Sequence, residues 1–324
     1  MSHQLFTLAL MSFGGEGLYE PFDLSAVERL GNHIVLGSDE GNVIQVLERT
    51  NTNTFVLKRK YSIPDGEETD RKNKGKHPEL DIEGIAAENN TVYIVSSHSS
   101  KRKKVKPENP KGRSYSENRK RLAEIEDEEN RRTLIKLKFD DEGKIQGKPK
   151  EKDIWDVIEN FDELKPFTKV PSKENGVDIE GIAVWDEKLY IGFRGPVLRE
   201  NWVPVMVTAF DEPTENANLR FVNLGGLGIR DIVAVEKELF LLIAGPMGNG
   251  LGDYHLYAWN GLDCVPGKNG AKGTIRHIGK IPAGKGAKAE GLAILNDKTD
   301  ALLQLLVVFD GPKNGNPILL EWRR

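Results

Sequence analysis

The pentapeptide D-I-E-G-I stands at residues 81–85 and again at 178–182, and three looser copies surround it: D-L-S-A-V from Asp23, G-I-R-D-I from Gly228 and K-A-E-G-L from Lys288. The third position of each copy is Ser25, Glu83, Glu180, Arg230 and Glu290. Ten residues further on come Val35, Tyr93, Tyr190 and Phe240, inside the apolar runs I-V-L-G, V-Y-I-V, L-Y-I-G and L-F-L-L. The fifth copy reaches its matching run, L-L-V-V-F-D-G-P, after a short insertion. A short strand, a polar turn and a second strand rich in β-branched and aromatic residues form a hairpin signature.

The copies begin at 23, 81, 178, 228 and 288, intervals of 58, 97, 50 and 60 residues. A four-stranded blade takes about 40–50 residues. The long interval holds a highly charged stretch, 99–132, and without it falls into line with the others. The spacing therefore predicts an all-β, five-bladed β-propeller spanning residues 1–324 as a single domain, with six blades as the alternative. The runs 5–11 and 318–322 both read as strands, and pairing them in one blade would close the ring and remove its free edges.

The insertion opens with K-R-K-K-V-K and turns acidic at 124–129. Ser116 is placed to cap a helix over 118–130, with Leu122 and Ile125 on one side. Such an arm suits a solvated loop, a lid over the central opening, or a docking site for an acidic protein partner.

Composition narrows the function. The chain of 324 residues has a formal net charge of −4, which gives nucleic acid no basic face to bind. One cysteine, Cys264, excludes a disulfide framework or a cysteine-rich metal cluster. The longest apolar runs fall short of the roughly 20 residues that cross a bilayer, and no secretory signal pattern precedes the first strand. The expectation is a cytoplasmic protein with no membrane partner. The glycine-rich stretches at 245–253 and near Gly267 lack the Lys-Ser/Thr of a phosphate loop and read as blade turns.

Inner strands of a propeller line its channel. If the third positions face the axis, Ser25, Glu83, Glu180, Arg230 and Glu290 form a ring, and strict alternation adds Asp23, Asp81, Asp178, Gly228 and Lys288 on the same face. So many carboxylates need a counter-charge. Two solutions stand open: a hard cation, Ca²⁺ before Mg²⁺, held by Ser25, Glu83, Glu180 and Glu290, or a structural plug in which Arg230 and Lys288 neutralise the acids. The return strands bring Asp39, Ser97, Arg194, Ala244 and Asp310 to the same opening, with Glu40, His98, Arg199 and Asn249 nearby. Arg194 and Arg199 are the candidate anion holders. Asp39 and His98 are the candidate acid–base groups.

The D-I-E-G-I repeats, with G-F-R-G-P at 192–196, A-G-P at 244–246 and F-D-G-P at 309–312, resemble a mostly bacterial family of propellers known only as a domain of unknown function. The E-G-L motifs also resemble those of phytase-like and esterase-like propellers. A more distant similarity is to the five-bladed calcium-dependent nucleotidases (apyrases), in which Ser and Glu residues of successive blades ring a Ca²⁺. That resemblance implies metal ligands at Ser25, Glu83, Glu180 and Glu290, and Arg230 departs from it because a guanidinium cannot bind a cation. The leading expectation is a hydrolase-like propeller acting on a phosphorylated or anionic small molecule, possibly with Ca²⁺. The alternative is a non-catalytic propeller that binds a ligand or protein around a structural polar core. A lactonase-type activity also stands open.

Overall fold

The computed structural model describes residues 5–14, 17–69, 78–107, 112–248, 250, 252–270 and 272–324, without the side chains of residues 5–8. Asn249 and residues 108–111 of the charged insertion lie outside the described residues. The described strands form five blades, which confirms the five-bladed propeller. The inner strands are Leu24–Leu30, Ile82–Glu88, Asp178–Trp185, Gly228–Glu236 and Lys288–Ile294, for blades one to five. Each begins at or beside its repeat motif, and each packs against the inner strand of the next blade, the fifth returning to the first. The long interval holds no sixth blade. After the insertion it supplies blade two's own outer strands, Leu134–Lys138 and Lys150–Lys152, and then a helical connection to blade three.

The ring closes as the terminal runs predict. Leu5–Leu10 pairs antiparallel with Ile318–Arg323 as the outer strand of blade five, from Leu5 opposite Trp322 to Leu10 opposite Ile318. Blade one carries additions of its own: Ser12–Gly14 runs parallel to its outer strand Thr54–Ser62, and Glu67–Glu68 pairs with that strand's far end.

Alternating side chains on both faces of each blade bury apolar groups against the two neighbouring blades. One apolar cluster fills each gap. Leu306 and Leu319 meet Leu24 and Leu36 where blade five joins blade one. Val46 meets Ile85 and Ile94 between blades one and two, and Val95 and Leu134 meet Ile182 and Phe193 in the next gap. Tyr190 and Phe240, equivalent positions of successive repeats, stack with ring centroids 4.3 Å apart, and Trp259 lies 5.5 Å from Phe240. Leu241 and Leu256 meet Leu305 and Trp322 in the last gap. Among the described residues no helix is long and apolar enough to cross a membrane.

One break in strict alternation recurs in the same way in every blade. Leu24 pairs with Ser38 and Ala26 with Gly37, leaving Ser25 as an extra residue. The same break leaves Glu83, Glu180, Arg230 and Glu290 unpaired in the other four inner strands. The third motif position is thus a β-bulge, a device that re-aims a side chain out of the regular pleat.

The fourth position explains the glycine of E-G-I. A Cβ at Gly84 would stand 2.8 Å from the amide nitrogen of Ile182, and one at Gly181 would stand 2.8 Å from Cα of Asp231. Neighbouring inner strands approach backbone to backbone there, and a methyl group has no room.

The insertion departs from expectation. Its helix spans Tyr115–Ala123 and is capped by Ser114, whose hydroxyl accepts from the amide of Glu117 while that glutamate accepts from the amide of Ser114. This reciprocal capping box starts the helix earlier than Ser116 would. Ile125 leaves the helix because Ile125–Asp127 pairs with Ser100–Arg102. Arg102 ties the arm to the turn before blade three through Glu174, at 2.5 and 2.8 Å.

Substituting Gly181→Ala should lower the melting temperature by about 2–6 °C, from an overpacking cost of about 1–3 kcal/mol. Gly284→Ala, where a Cβ meets nothing within 4 Å, should leave it unchanged. Differential scanning calorimetry of both variants reads the contrast.

Candidate functional site

The five bulged positions, with the first motif residues and the return strands, build one buried polar network at the channel mouth. Each blade joins the first motif residue to a residue of the return strand. Backbone hydrogen bonds run from Asp39 to Asp23 (3.2 Å) and from Ser97 to Asp81 (3.1 Å), and the ladder sets Asp178 opposite Gly195, Gly228 opposite Gly245 and Lys288 opposite Asp310. Side chains follow the same pairing. Ser97 Oγ donates to Asp81. Arg194 Nε donates to Asp178 at 2.7 Å. Lys288 Nζ pairs with Asp310. Blade four contributes no charge at its first position, and blade one sets two acids side by side, Asp23 and Asp39.

The ring divides into two halves. On the side of blades three to five, Arg194 also reaches Glu180 at 2.5 Å, and Arg230, 2% exposed, lies between Glu290 and Glu180 (3.5 Å to the latter). Three carboxylates thus share two guanidiniums. Burial pushes Asp178 up to about 7 against the pull of Arg194. Asp231, at the fourth motif position of blade four, accepts from the amides of Leu292 (2.6 Å) and Ile232 (2.7 Å), which ties blade four to blade five.

On the side of blades one and two, acids outnumber cations. Asp81 has Arg131, at 2.7 Å, which also meets Glu79 and Glu128. Glu83 is 8% exposed, and among the described residues nothing donates a hydrogen bond to it. Burial, then the charges of Glu180, Asp81 and Asp39, hold its carboxyl well above the usual range. Asp39 keeps a buried oxygen, Oδ1, with no partner. Burial and then Asp310, Asp81 and Asp23 push it up to about 8. Asp39 therefore holds a proton at neutral pH.

Three of the four side chains expected to ring a metal are taken up by other partners. Ser25 Oγ donates to the carbonyl of Ile82 in blade two, Glu180 and Glu290 are bridged by Arg230, and only Glu83 of the four is left without a partner. A Ca²⁺ ion needs six to eight oxygens around one point, and Mg²⁺ six. No group of three or more Asp, Glu, His or Cys side chains among the described residues is spaced to hold a metal ion. The residues present therefore do not fit a resident Ca²⁺ or Mg²⁺, and Arg230 stands where such an ion's charge would be.

Two expected site residues lie elsewhere. His98 is wholly buried; its Nδ1 donates to the carbonyl of Ser96 at 2.8 Å, its Nε2 has no partner, and its charged neighbours are Asp153 and Arg132 rather than the ring acids. Burial holds it down to about 4, so it is neutral at physiological pH. Arg199 is exposed in the short turn Arg199–Asn201 and makes no ion pair among the described residues. Arg194 is brought to the ring, but its guanidinium is taken up by Asp178 and Glu180. Sequence reading missed Arg131, which closes the charged insertion. It also missed Asp231, which replaces the glycine of the repeat; that replacement was the available signal.

Similar solved structures include the PQQ-bound form of aldose sugar dehydrogenase from Streptomyces coelicolor, at 12% identity over 99% of this chain and 98% of that one, with a TM-score of 0.44. Glutaminyl cyclase from Myxococcus xanthus matches at 8% identity over 99% and 96%, with a TM-score of 0.46. A hypothetical protein from Leishmania major matches at 12% over 98% and 89%, with a TM-score of 0.43. At these scores the likenesses transfer no chemistry to this chain. No curated protein matches it. The repeat motifs lie within the region that matches a family model, residues 23–316, and the chain belongs to that family, described as a protein of unknown function, DUF3616.

Proposed function

We propose that this protein is a ligand-binding propeller: the half of the ring on blades three to five is a structural plug, and the half on blades one and two is the binding mouth. One observation carries the reading. Glu83 is buried with no donor to it and Asp39 keeps a buried oxygen without a partner, beside Asp81, Asp178, Glu180, Glu290 and Asp310, which are each paired with a cation. A buried polar group without a hydrogen bond is costly, and such groups gather where a ligand completes the network. The anionic ligand expected from sequence loses its support at Arg194, whose three nitrogens all meet Asp178 or Glu180, while Arg230 keeps only a buried Nε without a partner. A second reading, hydrolysis at the same mouth, is favoured by Asp39, which keeps its proton to about pH 8 as a general acid must.

The plug is tested by Arg230→Met, which leaves Glu290 buried beside no counter-charge and Glu180 with Arg194 alone. It should destabilise by about 3–5 kcal/mol, and adding Glu180→Gln and Glu290→Gln should recover most of the loss in chemical denaturation. The mouth is tested by a panel of small metabolites read by ligand-observed NMR and by turnover. Compounds that bind should lose binding in Glu83→Gln, and any hydrolysis should vanish in Asp39→Asn. Binding that ignores both substitutions would place the site elsewhere.

Asp39 also predicts a pH dependence. Its pKa is raised in the folded state, from an ordinary 3.8 to about 8. The stability this represents is complete below about pH 4 and drains away as pH climbs to about 8, by up to about 1.4 kcal/mol per unit. Thermal melts should therefore be higher at pH 5.5 than at pH 8, and Asp39→Asn should flatten that slope by gaining most at pH 8.

A further inference from the structure

The ring shows what its carboxylates take as partners. Asp178 and Glu180 share Arg194, Glu290 and Glu180 share Arg230, Asp81 meets Arg131, and Asp310 meets Lys288. Every charged partner is an organic cation with several N–H donors, three of them guanidiniums. The pattern stops at the junction of blades one and two. Asp23 and Asp39 pair with no cation among the described residues, and neither does Glu83. Glu83 is more than nine-tenths buried and Asp39 Oδ1 is buried without a partner. The two acids lie in electrostatic reach of one another and of Asp81. Glu40, Asp23 and Asp310 face Asp39 as well, and the neighbouring cations are Arg194 and Arg131 beside Glu83 and Lys288 beside Asp23. These acids are too spread to close around a metal ion. A multi-donor organic cation bridges such a spread, as Arg194 and Arg230 do on the opposite side of the ring.

We propose that the acid-rich half of the mouth binds a small organic cation, of the guanidinium or primary-ammonium class, whose N–H groups donate to Glu83 and Asp39. This rests on the reading of that half as a binding site and adds the chemistry of its ligand. The bound cation supplies the donors that Glu83 and Asp39 lack and completes on blades one and two the pairing that blades three to five make for themselves.

The test is calorimetric titration of the full chain with agmatine and with putrescine. Tetramethylammonium, a cation with no N–H donor, is the control for charge alone. Agmatine or putrescine should bind saturably, tetramethylammonium should not, and Glu83→Gln and Asp39→Asn should each weaken binding at least tenfold while the protein still unfolds cooperatively. Two separate variants guard against a folding defect in either. Equal binding of tetramethylammonium, or undiminished binding in both variants, would overturn the proposal. If a neutral or anionic compound binds and is lost in Glu83→Gln while the amines fail, the ligand class falls and the mouth stands. If nothing binds there, both fall.

Discussion

Five inner strands meeting around one axis have almost no space between their backbones, and the rest of the molecule is arranged around that crowding. At Gly84 and Gly181 a single added carbon would collide with the next strand's main chain. Close approach removes side chains from the fourth motif position and leaves the third as the place where a side chain can enter the channel. The bulge makes that possible. By adding one residue to the inner strand it turns Ser25, Glu83, Glu180, Arg230 and Glu290 out of the pleat in five equivalent places. Geometry thus fixes where polar groups gather, and their identities decide what the gathering does.

Those identities are not equivalent. A buried carboxylate is tolerable when it is paired and hydrogen-bonded. Blades three to five supply that internally, with Arg194 and Arg230 each held between carboxylates and Asp231 fastened by two amides. Blades one and two do not. Their cation, Arg131, belongs to the end of the charged arm rather than to the repeat, and it serves Asp81 and Glu79. Glu83 and Asp39 are left to proton uptake or to something from outside. Near-symmetry of the blades makes this contrast visible, since each unmet position has met counterparts elsewhere in the same ring.

Closure of the ring sets how rigidly that mouth is held. Each gap between blades is filled by its own apolar cluster, and the gap between blades five and one depends on Leu319, from the strand that pairs with the N-terminal run. The charged arm is fastened at two points, by Arg102 to Glu174 beside blade three and by Arg131 to the acids beside blade two. Its base is therefore part of the mouth's electrostatics, while its helix buries no residue.

The repeat by itself favoured five blades over six and placed their inner strands and the closing strand pair. D-I-E-G-I and its variants recur at one place in each blade, and 5–11 and 318–322 were strands with no other partner. It also placed Glu83, Glu180, Arg230 and Glu290 at a common centre, because equivalent positions of a closed repeat must converge. It did not determine which charges meet. Arg194 looked free to hold an anion, and His98 lay one residue from a site position. The fold instead gave Arg194 to Asp178 and Glu180, and turned His98 away from the ring acids. Such outcomes depend on distances between blades far apart in sequence and on a one-residue bulge that breaks strict alternation. Pairing of buried charges is settled by a few ångströms of tertiary packing, and no local pattern encodes that.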